Sequence, residues 1–445
     1  MHSKFFGEDF VWGVSTSAAQ IEGAYLTDGK GLSIWDVFSI KKNKIRNNDN
    51  PFIATDFYSN YKQDITIIKQ LGFKHFRFSI SWPRVLPNGV GEINEQGIKF
   101  YHQIIDECII NDITPWITLY HWDLPQVLEE KGGWTNRTIT EWFKEYVELC
   151  VSHFGKKVNQ WMILNEPMVF TGTGYFLGVH APGKKGIANF SAAMHHAVLC
   201  QAIGLKTIKQ HFPNSKVGTT FSCSYITPYS HNQKDITAAK KVNTLLNRVF
   251  IEPSLGLGYP VNDLPILKKI SNYILPGDEN LMKADFDFIG IQIYTREVVK
   301  HSWFTPYIKA KLVPADKRKV YRTAMDWEVY PAAAYEMVKQ FSAYENVKEI
   351  YITENGASFP DELQENAVYD NERKNFFEAY LKEVLKAKQE NLKIKGYFVW
   401  SLTDNFEWAE GYKQRFGLVY IDYPTQRRIL KNSAKWFKRF LRNKN

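Results

Sequence analysis

The chain has 445 residues, 44% hydrophobic and 23% charged, with a formal net charge of +9. That balance is ordinary for a globular protein and excludes a disordered or fibrous chain. The basic excess is spread out: its densest clusters, Lys41, Lys42, Lys44 and Arg46 and the tail Lys435, Lys438, Arg439, Arg442 and Lys444, read as solvated edges rather than a nucleic-acid face.

Eight short runs rich in apolar, aromatic and β-branched residues recur at 10–15, 75–80, 115–120, 160–164, 216–221, 286–294, 349–353 and 396–402. Most are too continuous in hydrophobicity for one-sided antiparallel strands, and they are predicted to be buried parallel strands. Helical periodicity separates them at 56–71, 93–111, 138–154, 190–211 and 371–390. In the first, Phe57, Tyr61, Ile65, Ile68 and Leu71 keep one apolar face; in the second, Ile98, Tyr101, Ile104, Ile105 and Cys108 do so. Thr135-Asn136 and Asn189 read as helix starts. The long spacers 222–285 and 295–346 are expected to carry helices and loops over one face. Strand–helix alternation predicts an α/β fold, a (β/α)8 TIM barrel, as one catalytic domain over residues 1–445. The competing doubly wound sheet is often marked by a Gly-rich phosphate turn, and none follows a strand here.

Cys108, Cys150, Cys200 and Cys223 show no CxxC spacing and are expected to be reduced core residues. The first residues show no charged segment followed by an apolar one, and no run approaches the roughly 18 apolar residues of a membrane helix. The expected setting is the cytoplasm, with no membrane or nucleic-acid partner.

The chemistry clusters after the strands. His121-Trp122-Asp123 follows the third, Asn165-Glu166-Pro167 the fourth, Tyr294-Thr295-Arg296 the sixth and Glu354-Asn355-Gly356 the seventh, while Trp400 to Trp408 ends the eighth. In a barrel these ends converge on one face. Glu166 and Glu354 then stand across one mouth. Such a pair suits glycoside hydrolysis, where one carboxyl donates a proton to the leaving oxygen and the other attacks the anomeric carbon. One must be protonated and the other ionised near neutral pH. Arg77, read as the end of the second strand, is the candidate to hold one of them ionised. Proline after Glu166 is expected to push that residue to an extended conformation.

Taken alone, either Glu reads as a solvent-facing strand-end charge, His121 as a structural histidine, Trp400 as barrel core and Glu407-Trp408 as rim packing. Their combination suits a sugar, whose flat C–H faces and hydroxyl edges call for rings beside acceptors and amides. Gln20, His121, Asn165, Trp400, Glu407 and Trp408 have that chemistry. No metal is expected: there is no HExxH, and His195-His196 falls on a predicted helix. The serine elbow GxSxG is absent as well.

The run Phe10 to Gly23 (FVWGVSTSAAQIEG) resembles the N-terminal signature of family 1 glycoside hydrolases, the β-glucosidase family. Arg77 to Trp82, Tyr120 to Pro125, Leu164 to Pro167, Tyr351 to Gly356, Trp400 to Trp408 and Arg415 to Leu418 also match its motifs, in order. The resemblance implies a retaining β-glycosidase on a (β/α)8 barrel, without cofactor, acting on a small β-glycoside or oligosaccharide. It implies Glu166 as acid/base and Glu354 as nucleophile, with carboxyls about 5–5.5 Å apart as retention requires. It assigns substrate contacts to Gln20, His121, Trp122, Asn165, Gln292, Tyr294, Trp400, Glu407, Trp408 and Phe416. Tyr294 matches the tyrosine that contacts the nucleophile. Members acting on 6-phosphorylated sugars carry a Ser/Lys/Tyr site in place of Glu407-Trp408, so a non-phosphorylated glycone is expected, with an acidic Glu407 repelling phosphate. Glu166 is a true Glu, unlike the Gln of plant thioglucosidases.

Two positions depart from the pattern. Gln292 stands where Asn is usual, and Met168 follows Pro167 where many members have Trp. Three other readings compete with hydrolysis: transglycosylation, an idle saccharide-binding barrel, and nucleic-acid binding.

Overall fold

The computed structural model describes residues 1–442, so Lys444 of the basic tail lies outside the described residues. Eight parallel strands close a ring: β1 Val11–Ser15, β2 His75–Ser79, β3 Thr114–Tyr120, β4 Gln160–Asn165, β5 Lys216–Pro228, β6 Phe288–His301, β8 Ile350–Asn355 and β9 Ile394–Trp400. Neighbours pair in chain order, β5 pairs β6, and β1 pairs β9 to complete the (β/α)8 barrel. The short β7, Ala310–Leu312, adds antiparallel to the outer end of β6. A hairpin of β10, Val419–Asp422, and β11, Arg427–Leu430, follows the ring.

The strands are apolar on both sides because each is covered by helices outside and by other strands' side chains inside. Trp116, Met162, Phe288, Tyr351 and Phe398, from five ring strands, pack together as an inner plug. Outside, the helices Phe57–Leu71, Glu95–Ile110, Ile139–Phe154, Ile187–His211 and Asn371–Gln389 occupy the periodic segments. Gly72, at φ 91°, ends the first in the left-handed conformation that glycine tolerates. The Asn94 side chain accepts from Gln96 N at 3.2 Å and starts the second.

Three expectations change. Asn189 lies inside its helix, which Gly186 precedes, and its side chain donates back to Lys185 O at 2.8 Å. The long spacers hold strand as well as helix and loop: β5 and β6 overshoot the ring, and Tyr225–Pro228 pairs with Arg296–Val299 above it. Arg77 sits at the centre of β2, not its end, fully buried inside the ring. The four cysteines are buried and unpaired, and Lys41, Lys42, Lys44 and Arg46 are exposed. No described helix is long and apolar enough to cross a membrane.

Candidate active site

Glu166 is the first residue beyond β4 and the N-cap of a short helix, Pro167–Thr171. It is not extended: φ is 47° and ψ is 62°. Proline strongly disfavours only the right-handed region for the residue before it. The left-handed turn lets Glu166 N donate to Thr220 O at 3.0 Å while its carbonyl accepts from Val169 N at 2.9 Å. Trp122 (φ 80°) and Trp408 (φ 48°) carry the same kind of strain. Such outliers persist where the surroundings over-determine them, as at ligand sites.

Glu354 lies near the end of β8, with both oxygens held. Oε1 pairs with the Arg77 guanidinium and accepts from Gln292 Nε2 at 2.8 Å. Oε2 accepts from the Tyr294 hydroxyl at 2.6 Å. Burial, the largest influence, leaves the proton affinity of Glu354 above that of an ordinary carboxylate, although Arg77 and Tyr294 oppose it. Glu166 is pushed well above the usual carboxylate range, first by burial and then by the charge of Glu354. The two environments differ in the sense acid and nucleophile require: Glu166 is raised further, because a neighbouring charge adds to burial, whereas Glu354 touches a cation.

Behind these groups is a shell of amides. Asn165 Oδ1 accepts from Arg77 Nη2 at 2.5 Å and Gln292 Nε2 at 2.6 Å. Asn165 Nδ2 lies 3.0 Å from His121 Nε2. If the amide is oriented to donate there, the neutral ring carries its proton on Nδ1. Gln20 Nε2 donates to Phe406 O at 2.9 Å and reaches Glu407 Oε2 at 3.5 Å. Burial drives His121 well below its ordinary pKa. Burial, with the charges of Glu354 and Glu410, pushes Glu407 up to about 8.

A cavity of about 370 Å³ opens over the carboxylates. Of the residues singled out in the sequence, Glu166, Glu354, His121, Trp122, Tyr294, Trp400, Glu407, Trp408 and Phe416 line it. Gln20, Asn165, Gln292 and Arg77 do not; they are fully buried behind it. Trp122 packs on Trp408 with ring centroids 4.5 Å apart, and Tyr294 packs on Trp327 at 5.3 Å. Among the described residues, no Lys or Arg lines the cavity. The sequence pattern did not point to His180, Ser222, Ser224, Glu297 or Trp327, which also line the cavity. The strand overshoot places Ser222, Ser224 and Glu297 there, and the alternation of Thr295 and Glu297 was the only signal for it. Burial lifts Glu297 to about 7. His195 and His196 lie elsewhere, His195 within 2.8 Å of Asp278 and His196 within 2.8 Å of Trp134 O.

A barrel whose C-terminal mouth buries two carboxyl groups among aromatic rings has the layout of a glycoside hydrolase. The family model described as Glycosyl hydrolase family 1 matches residues 2–445. Beta-glucosidase A of Thermotoga maritima is 42% identical over 100% of this chain and 99% of its own length. A 1,4-beta-D-glucan glucohydrolase of Thermotoga neapolitana is 41% identical, covering 99% of each. The solved structure of the Thermotoga maritima beta-glucosidase in complex with deoxynojirimycin superposes with a TM-score of 0.94 at 41% identity, over 98% of both chains. The chain belongs to glycosyl hydrolase family 1.

Proposed function

We propose that this chain is a retaining exo-β-glycosidase that removes terminal, non-phosphorylated β-D-glucosyl groups, and β-fucosyl or β-galactosyl groups as well, with the whole chain acting as one catalytic domain. The observation that carries the proposal is the asymmetry of the carboxyl pair: Glu354 is gripped by Arg77, Gln292 and Tyr294, while Glu166 has its proton affinity raised by burial and by Glu354.

Glu354 attacks the anomeric carbon and forms an acylal ester as the glycosidic bond breaks. Glu166 gives its proton to the departing oxygen. Esterification removes the charge of Glu354 and with it one cause of the raised proton affinity of Glu166. Glu166 is then the base that takes a proton from water, which attacks the same carbon and releases the sugar with retention. His121, Trp122, Tyr294, Trp400, Glu407, Trp408 and Phe416 meet the glycone. Gln20, Asn165 and Gln292 complete the site from behind, because their amides already order Glu407, His121 and Glu354.

The argument against phosphorylated sugars takes a different form from the one the sequence suggests. With Glu407 held up to about 8, its carboxyl is mostly neutral at pH 7 and repels weakly. A phosphate is disfavoured instead because, among the described residues, no Lys or Arg lines the cavity to receive it. The names of the relatives, a beta-glucosidase and a glucan glucohydrolase, support the same substrate class.

The test is a panel of aryl β-D-glycosides run beside a 2-deoxy-2-fluoro-glucosyl trap. Fast glucoside turnover with the label on Glu354 is the expected outcome. A preference for the 6-phosphoglucoside, or label on another residue, overturns it. Glu354→Gly supplied with azide is expected to yield the α-glucosyl azide.

A further inference from the structure

Beside the catalytic cavity lies a second one of about 430 Å³. The helix Pro167–Thr171, the turn Gly172–Leu177 and the first half of the helix Ile187–His211 form one side; segments around Leu246, Ile266 and Ile308 form the other. Among the described residues, no charged one lines it. The Thr173 hydroxyl is already committed to Val169 O at 2.6 Å. Leu177 and Tyr307 at its edge are half exposed, and the neighbouring Phe304 is almost fully exposed. Contiguous apolar surface of this kind marks a binding site in a soluble protein.

Its position says what it serves. Val169 borders both cavities. It lies three residues beyond Glu166, about 4.5 Å along a helix axis. Met168, one of the two residues that depart from the family pattern, lines the second cavity and not the catalytic one. Glu166 hands its proton to the leaving group, so the space beyond its helix is on the leaving-group side. An apolar cavity of this size gains little from water, which finds no partners there, and its volume falls in the range of small-ligand sites, roughly 300–1,000 Å³.

We propose that the second cavity takes the apolar tail of the aglycone, an alkyl or isoprenoid chain, while the sugar occupies the catalytic cavity. This rests on the glycosidase reading above and adds the class of leaving group. Each methylene that leaves water there is expected to raise kcat/KM, with about fourfold as the limit for full burial.

The experiment measures kcat/KM for methyl, butyl, hexyl and octyl β-D-glucosides below their micellar concentrations, with 4-nitrophenyl β-D-glucoside alongside. A rise of at least about tenfold from butyl to octyl is expected. Gly172→Leu should fill the cavity: Gly172 has φ −70°, and an added Cβ meets only the tip of Met168, at 3.1 Å. In that variant the octyl-to-butyl ratio is expected to fall within about twofold of unity. Met194→Trp fills the same space from the neighbouring helix if the first variant does not fold. A flat wild-type series, or a slope that survives in both variants, overturns the proposal. A crystal of the wild type with octyl β-thioglucoside decides independently of turnover: a tail against Phe190 and Met194 supports it, and a tail leaving past Trp327 overturns it. Failure to hydrolyse methyl and 4-nitrophenyl glucosides would instead count against the glycosidase reading, and the thioglucoside complex would still decide the cavity.

Discussion

The Tyr294 hydroxyl donates to Glu354 Oε2 at 2.6 Å, on the opposite oxygen from the one that Arg77 holds. Glu354, the proposed nucleophile, is thus held on both oxygens. Two strands cooperate in this, since Gln292 and Tyr294 of β6 reach the end of β8 and Arg77 crosses the barrel from the middle of β2.

Tyr294→Phe removes one donor to an ionised carboxylate. A hydrogen bond to a charged group contributes about 1.5–3 kcal/mol. The expected result is a kcat lower by about 10- to 100-fold with the fold intact. Stopped-flow detection of the aryl leaving group locates the loss in formation of the glycosyl-enzyme. An unchanged kcat would mean that the phenol only packs against Trp327.

Arg77→Lys keeps a charge but loses the planar fork that spans Glu354 and Asn165. Arg77 lowers the proton affinity of Glu354 against the effect of burial. Weakening it lets that affinity rise, and Glu354 must be ionised to attack. The acidic limb of the kcat/KM profile is therefore expected to move to higher pH. A uniform loss at every pH would show that Arg77 acts on position alone.

The carboxyl pair and the barrel were legible because both rest on local signals. Buried parallel strands announce themselves as continuous apolar runs, and the polar residues just after them fall on one face. Depth was not legible. Gln20, Asn165 and Gln292 read as cavity residues, yet Gln20 Nε2 is held by Phe406 O, Asn165 Oδ1 by Arg77 and Gln292 Nε2 by Asn165 Oδ1 behind the wall. Arg77 read as a strand end and is a mid-strand core residue. The overshoot of β5 was hidden because its outer part, Ser224 to Pro228, is only partly covered and lacks the continuous apolar run of a buried strand. Glu297 was hidden with it. The left-handed turn at Glu166 is set by its bonds to Thr220 and Val169, which are tertiary and helical contacts that proline alone does not announce.

Lys431 is fully buried and bridges Asp361 and Asp404, at 2.6 Å to each. Asp404 in turn accepts from Arg415 at 2.6 Å and from Gly417 N at 3.0 Å, which anchors the segment that carries Glu407 and Trp408. Lys431→Met leaves two buried carboxylates short of a cation. Breaking a buried ionic group in this way costs about 3–5 kcal/mol. Chemical denaturation should show a loss of that size; a loss under about 1 kcal/mol would mean that Arg373, which pairs with Asp361 at 2.8 Å, and Arg415 suffice.

Glu407 ties substrate binding to stability. Burial, then the charges of Glu354 and Glu410, raise it from the ordinary carboxylate value to about 8. An acid with a raised pKa binds its proton more tightly folded than unfolded. Its contribution is most favourable below the unfolded value of about 4.3 and is lost as pH rises toward 8. Glu407→Gln removes this titration while keeping the shape. Its Tm is therefore expected to exceed that of the wild type at pH 8, with the gap closing toward pH 5. The same variant should lose most activity on unmodified glucosides, because bound sugar hydroxyls favour an ionised Glu407 that accepts from two of them, and an amide has only one accepting oxygen. Scanning calorimetry of both proteins from pH 5 to 8 checks the first part. A Tm difference independent of pH would show that Glu407 does not change its protonation in the empty site.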